Sequence, residues 1–263
     1  MSIIGIIHSD AVQTYKLFRM NLKNRYLGSR FGLAWSVLQP LIMMIMYIVV
    51  FGFIFQIKIA GSDNPIDYVI WFICGFAPWM AINEGIALST SAIMSGISII
   101  KNFTIKAELI PMSYAVMGIP QMAVGLVIVL ILSMVTGFGI SFHVVELMVV
   151  IPVVFILLMG IGFWVSATAV FNRDIAQVIP TILQLIFYFT PIFYDINQFP
   201  WIIQKLTFFN PVYQICAPFR AVLFEHTSID IWGFLYLILL TAIIWILGLK
   251  YFHKLQGYFE SAL

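Results

Sequence analysis

The stretch Leu33–Gln56, LAWSVLQPLIMMIMYIVVFGFIFQ, carries no charged residue along its length. An α-helix rises about 1.5 Å per residue, so about 20 such residues cross a hydrocarbon core of about 30 Å. Residues 33–56 are long enough to do so. They predict a transmembrane helix with Gln39-Pro40 near its start.

The same signal repeats outward from this stretch. Of 263 residues, 62% are hydrophobic and 9% charged, with a mean hydropathy of +1.05. A soluble domain has roughly 45–50% apolar and about 25% charged residues. No soluble fold of this length hides so much apolar surface, so the solvent must be lipid. Further apolar runs predict spans over 68–91, 111–135, 144–170, 175–193 and 231–252, which gives six transmembrane helices in an all-α polytopic membrane protein. Spans and short loops use up the chain, leaving one transmembrane domain over 1–263. The span at 68–91 contains Gly75, Pro78, Asn83, Glu84 and Gly85, whose polar groups should face protein or water. Glu84 has no second buried acid or histidine to relay a proton to. A pore-facing or hydrogen-bonded carboxylate therefore suits it better than proton coupling. Within 195–229, the apolar pieces Trp201–Phe209 and Val212–Phe224 are each too short to cross and are separated by Asn210-Pro211. They read as re-entrant or interfacial half-helices.

Residues 8–31 have another character. Val12, Tyr15, Phe18, Leu22 and Tyr26 recur at intervals of three and four, with Lys16, Arg19, Lys23, Arg25 and Arg30 set among them. An apolar face opposite a basic one predicts an amphipathic helix lying in the membrane interface. A plain positive-inside anchor accounts for the same charges. Residues 95–110, with Lys101, Asn102, Lys106 and Glu108, predict a second, shorter amphipathic helix. With the N-terminus inside, the cytoplasmic segments hold Lys16, Arg19, Lys23, Arg25, Arg30, Lys101, Lys106, Arg173, Lys250 and Lys254. Only Lys58, Lys205 and Arg220 lie outside. That bias places both termini in the cytoplasm and 195–229 on the periplasmic side.

Several chemistries lack their motifs. There is no Gly-x-x-x-x-Gly-Lys-Ser/Thr, His-Glu-x-x-His or Gly-x-Ser-x-Gly, and His8, His143, His226 and His253 are scattered. Cys74 and Cys216 sit apart in apolar surroundings and suggest buried thiols. No catalytic residue, metal site or bound cofactor is expected in this chain, and an ATP-driven process would need a partner.

Asn24–Trp35, NRYLGSRFGLAW, followed by Gln39-Pro40-Leu41, resembles the opening of ABC-transporter permeases that export polysaccharides. In those proteins an Arg-Tyr-x-x-Ser-x-x-Gly-x-x-Trp pattern joins an interface helix to the first span. Shorter landmarks agree in order along the chain: Glu108-Leu109-Ile110-Pro111, Asn172-Arg173-Asp174, Thr190-Pro191-Ile192-Phe193-Tyr194, Asn210-Pro211-Val212-Tyr213 and Phe252–Phe259. Asn102-Phe103-Thr104-Ile105 and Ser261-Ala262-Leu263 depart from the usual pattern. The resemblance implies a homodimer in the bacterial inner membrane, docked on two copies of an ABC ATP-binding subunit that bind ATP and Mg²⁺. Its cargo would be a lipid-linked polysaccharide, such as O-antigen on undecaprenyl pyrophosphate, and no nucleic acid is implied. Capsular polysaccharide and teichoic acid exporters fit the same class. A membrane-embedded enzyme acting on lipid-linked sugars would need clustered acids or histidines, and here they are dispersed.

Candidate site residues follow from that cargo. Sugar rings have apolar faces, so Tyr47, Phe51, Trp79, Phe187, Tyr188 and Tyr194 are candidates to line a channel. Packing against lipid or neighbouring helices is their other use. Arg25 and Arg30, where the interface helix meets the first span, could hold a pyrophosphate through bidentate hydrogen bonds. Anchoring to anionic lipid head groups is the rival reading. The resemblance makes Lys101, Lys106 and Glu108 the residues that couple to the ATPase, against the alternative of a plain surface loop.

Overall fold

Gly28 and Gly32 turn the chain from the membrane surface into the bilayer. Both adopt positive φ, +83° and +49°, a region that suits glycine because it lacks a Cβ. A computed structural model describes residues 3–57, 59, 64–102 and 105–259, with side chains left aside at 3–8 and 100–102. Lys58, the side chain of Lys101, most of the Asn102–Ile105 departure and the Ser261–Leu263 ending lie outside the described residues or side chains.

The elements are α1 (Ile3–Arg25), α2 (Trp35–Tyr47), α3 (Pro65–Ser89), α4 (Ala92–Asn102), α5 (Leu109–Ala115), α6 (Ile119–Val135), α7 (Leu147–Phe171), α8 (Ile175–Phe189), α9 (Trp201–Phe208), α10 (Pro211–Leu223) and α11 (Ile231–Gln256). A π-helical stretch, Ile48–Ile54, prolongs α2. A 3₁₀ turn, Val116–Gly118, joins α5 to α6.

Among the described residues, five helical stretches are long and apolar enough to cross a membrane: Gly32–Ile54, Pro65–Ser89, Leu109–Val135, Phe142–Phe171 and Ile231–Gln256. The chain is thus an all-helical, multi-pass membrane protein. The span expected over 175–193 differs, because its helix ends at Phe189 after 15 residues, about 22 Å. Pro191 cuts it short, since the residue before a proline is driven out of the helical region, and Thr190 is extended at ψ 133°. Asn210-Pro211, read as a separator, is the start of α10. Asn210 accepts from the Val212 and Tyr213 amides at 2.9 and 3.4 Å, and Pro211 supplies a pre-set first turn. Asn64-Pro65 opens α3 in the same way.

α3 is the central post. Of its most apolar window 72% is buried, against 11% for Gly32–Ile54, so α3 is largely enclosed and α2 largely open. Neighbouring helices reach α3 through glycine. A Cβ on Gly118 would collide with the Ala81 carbonyl oxygen, and one on Gly85 with that of Ala115. Such small-residue contacts take the place of a hydrophobic driving force inside lipid. A second core gathers Leu17, Ile93, Leu109, Ile110, Phe163 and Phe252 at the α1 end, locking α1, α4, α5, α7 and α11 together.

A candidate transport site along the central helix

At the α1 end, the surface helix has three faces rather than two. Thr14 and Leu17 are buried, while Val12 and Tyr15 of the expected apolar face are 37% and 61% exposed. Residues 10, 14, 17, 21 and 25 form the protein-facing stripe, roughly a third of a turn away from the apolar one. Polar contacts run its whole length. Asp10 meets Lys106 Nζ at 2.6 Å, Asn21 Nδ2 donates to Ser113 Oγ at 3.0 Å, and Arg25 forms an ion pair with Glu84. The helical spacing of Asp10, Thr14 and Asn21 was the available signal for this face.

Two of the three expected coupling residues therefore hold elements together. Lys106 ties the α4–α5 connection to α1, and the hydrogen bond it donates to Asp10 raises its amine above the usual lysine range. Glu108 lies 3.7 Å from His253 Nε2 at the end of α11. Arg25 and Arg30 part company. Arg25 is half-buried and engaged by Glu84, while Arg30 is exposed in the turn before α2. Glu84, which lacked a relay partner by composition, has an opposite charge instead. A cavity of about 550 Å³ beside Arg25 is bounded by Asn21, Asn24, Ser95, Ser98 and Ser113.

Above this pair, the six expected lining aromatics fall into one connected cluster. Phe187 meets Trp79 at 5.5 Å, Tyr47 at 5.3 Å and Tyr188 at 5.4 Å between ring centroids. Tyr47 stacks on Phe51, Phe51 stacks on Phe193 at 4.5 Å, and Phe193 reaches Tyr194 at 5.0 Å. Phe72, Phe76 and Phe193 complete the cluster and were missed, although their spacing from Tyr68 along α3 marks two of them. Burial divides the six. Trp79 and Phe187 are core at 5% and 3% exposure, while Tyr188 is 48% exposed. Next to Tyr188, α8 exposes Gln177, Thr181 and Gln184, a polar stripe at steps of four, three and four along an otherwise apolar helix. Polar groups in a membrane helix face protein or water, and this stripe has lipid-incompatible chemistry. Between α2 and α3 a smaller cavity, about 130 Å³, is lined by Gln39, Tyr47, Trp79, Asn83 and Glu84.

At the far end stands Arg220, which the charge count placed outside among loop residues. It is buried at 6% exposure on α10. Burial follows from its work: Nη1 donates to the Pro191 carbonyl at 2.6 Å and Nη2 to that of Ile192 at 2.5 Å. Tyr68 Oη donates to the Phe193 carbonyl at 3.1 Å, and the Thr190 carbonyl accepts from the Ile192 amide. The guanidinium lies 3.6 Å over the Trp71 ring, and Gly75 leaves it room, since a Cβ there would sit 2.5 Å from Nη2. The irregular stretch after α8 is thus satisfied carbonyl by carbonyl, as backbone at membrane depth requires. No group of three or more potential metal ligands occurs among the described residues.

A multi-pass helical body with a polar and aromatic flank, and a platform of surface helices at one end, defines a membrane-embedded transport subunit. Comparison with known proteins narrows the class. The family model for the ABC-2 type transporter matches residues 12–224, and the chain belongs to that family. It is the membrane part of an ABC transporter, with a separate ATP-binding partner, and not an enzyme. Among curated proteins it is similar to the O-antigen export system permease protein RfbA of Myxococcus xanthus, 24% identical over 216 residues and 81% of each chain. Two such permeases of Klebsiella pneumoniae are 25% and 26% identical over 247 and 254 residues, covering 92% of each chain.

Proposed function

We propose that this chain is the permease of an exporter that moves a lipid-linked polysaccharide of the O-antigen kind, carried on undecaprenyl pyrophosphate, across the bacterial inner membrane. Two copies of the chain form the channel, and two ATP-binding subunits dock on the α1 end. Both termini lie in the cytoplasm. α8, extended by the carbonyl-satisfied residues 190–193, makes the sixth crossing, and α9 and α10 re-enter from the periplasmic side.

The observation that carries this reading is the flank formed by α2, α3 and α8. There a connected set of aromatic rings takes in Phe187 and Tyr188 of α8, the helix that also exposes Gln177, Thr181 and Gln184. A sliding glycan needs ring faces to stack on and amides and hydroxyls to exchange hydrogen bonds with, and no fixed charge to trap it. The names of the curated relatives point to the same cargo. Arg30, exposed where the surface helix meets α2, gives the pyrophosphate its first contact, and Arg25 exchanges Glu84 for the phosphate in the adjoining cavity. Lys101, Lys106 and Glu108 pass on the stroke of the ATPase.

The test is deletion of the gene in its host, with glycan traced by fractionation. Lipid-linked glycan is expected to accumulate on the cytoplasmic side, and the wild-type chain should restore export. Undiminished surface glycan in the deletion strain would refute the proposal.

A further inference from the structure

A cavity of about 490 Å³ opens at the end of the protein opposite α1, between the segment following α8, α3, α10 and the start of α11. Its size falls within the roughly 300–1,000 Å³ of small-molecule sites. We infer that it binds one or two neutral sugar units of the exported glycan, an inference that rests on the exporter reading above.

Three observations support this assignment. First, the cavity has a fixed polar wall. Arg220 borders it, buried, with its two Nη groups committed to Pro191 and Ile192. Gln214, Thr227 and Ser228 add an amide and two hydroxyls, groups with which a sugar hydroxyl can exchange hydrogen bonds. Second, the lining is acidic. Asp195, Glu225 and Asp230 face a single guanidinium, so an anionic ligand is repelled and a neutral polyol that donates hydroxyl protons to carboxylates is favoured. Asp230 also caps α11 by accepting from the Trp232 and Gly233 amides, which holds it in place. Third, Tyr213 and Phe234 supply half-buried aromatic walls, the surface on which the apolar face of a pyranose stacks. Carboxylates, an amide, hydroxyls and ring faces around a single cavity are the chemistry of sugar recognition.

The site would hold the chain after it passes the aromatic cluster and before it leaves the membrane. Binding is testable on the intact complex with its ATP-binding partner in nanodiscs, by saturation-transfer NMR. The probes are glucose, galactose, the disaccharide maltose, glucuronate as an anionic control, and oligosaccharide released from the host's own surface glycan. Neutral probes should show transfer and glucuronate much less. Glu225→Ala and Tyr213→Leu should each weaken binding about tenfold or more, the loss of a charge-assisted hydrogen bond or a stacking face, with melting temperature monitored to confirm folding. Absence of transfer from every neutral probe, transfer unchanged in both folded variants, or glucuronate binding as well as glucose would each overturn the assignment. The deletion experiment separates the two readings: export without sugar binding rejects this site alone, whereas sugar binding without export rejects the exporter.

Discussion

The Arg25–Glu84 pair joins the surface helix to the central post, and a double-mutant cycle measures what that joint contributes. The two side chains are 25% and 15% exposed. Exposed pairs contribute about 0.2–1 kcal/mol, whereas removing one partner of a fully buried pair costs about 3–5 kcal/mol. Partial burial places Arg25→Ala between these, at about 2 kcal/mol, or a melting shift of about 4–8 °C for a chain of this size. The loss arises mainly because Glu84 is left charged in an apolar setting. Arg25→Ala/Glu84→Ala should therefore be less destabilised than the sum of the single variants, with a coupling energy of about 1–2 kcal/mol. Thermal unfolding in nanodiscs reads this, and losses that add to within about 0.5 kcal/mol would refute the joint. Export separates the second role given to Arg25. If Arg25 serves only to neutralise Glu84, the double variant recovers export. If it also holds the pyrophosphate, the double variant stays inactive, and recovered export would refute head-group binding.

Other perturbations follow from the same contacts. Arg220→Lys should destabilise nearly as much as Arg220→Met, by about 2–4 kcal/mol, because one ammonium cannot fork to the Pro191 and Ile192 carbonyls and cover Trp71; wild-type melting of the lysine variant would count against carbonyl capping. Gly118→Val should cost about 1–3 kcal/mol or more by driving α6 away from the Ala81 backbone, read by melting temperature. Gln184→Leu, on the exposed stripe of α8, should leave stability within about 0.5 kcal/mol yet cut export, and unchanged export would remove α8 from the pathway. The Lys106 amine is raised by Asp10, so its contact is present below the ordinary lysine range and lost only as pH rises through the raised value. ATPase–export coupling that depends on Lys106 should accordingly hold steady between about pH 6 and 9, whereas Lys106→Met should weaken it.

Much of the fold was legible because lipid imposes a simple rule: uncharged runs of sufficient length become helices. The runs over 33–56 and 231–252 could scarcely be misread. The limits of α8 were less plain, since 175–193 carries no charge and the signal that ends the helix is one proline, Pro191. The six aromatics fall into one cluster, but hydrophobicity does not distinguish a ring facing a channel from one facing a neighbour. Trp79 and Phe187 are core residues, and the exposed polar stripe of α8 required attention to the few residues that are not apolar.

The charges were easy to see and hard to place. Counting signs by loop put Arg25 and Arg220 on opposite sides, with Arg25 a candidate for a pyrophosphate or anionic head groups and Arg220 only a charge on the outer side. Each is instead satisfied by protein far away in sequence, one by Glu84 and the other by the carbonyls left open after Pro191. A charge next to apolar residues must find a partner, because leaving it unpaired in lipid costs more than any single contact returns. The informative question at such a position is which unmet group it answers. For Arg220, that question was already posed by Thr190-Pro191-Ile192, where a helix stops inside an apolar stretch and its carbonyls need donors. The guanidinium has five N–H groups, and the one at Nε still lacks an acceptor among the described residues. The guanidinium is turned to the carbonyls and to Trp71, and it is the carboxylates and rings of the neighbouring cavity that remain for a ligand.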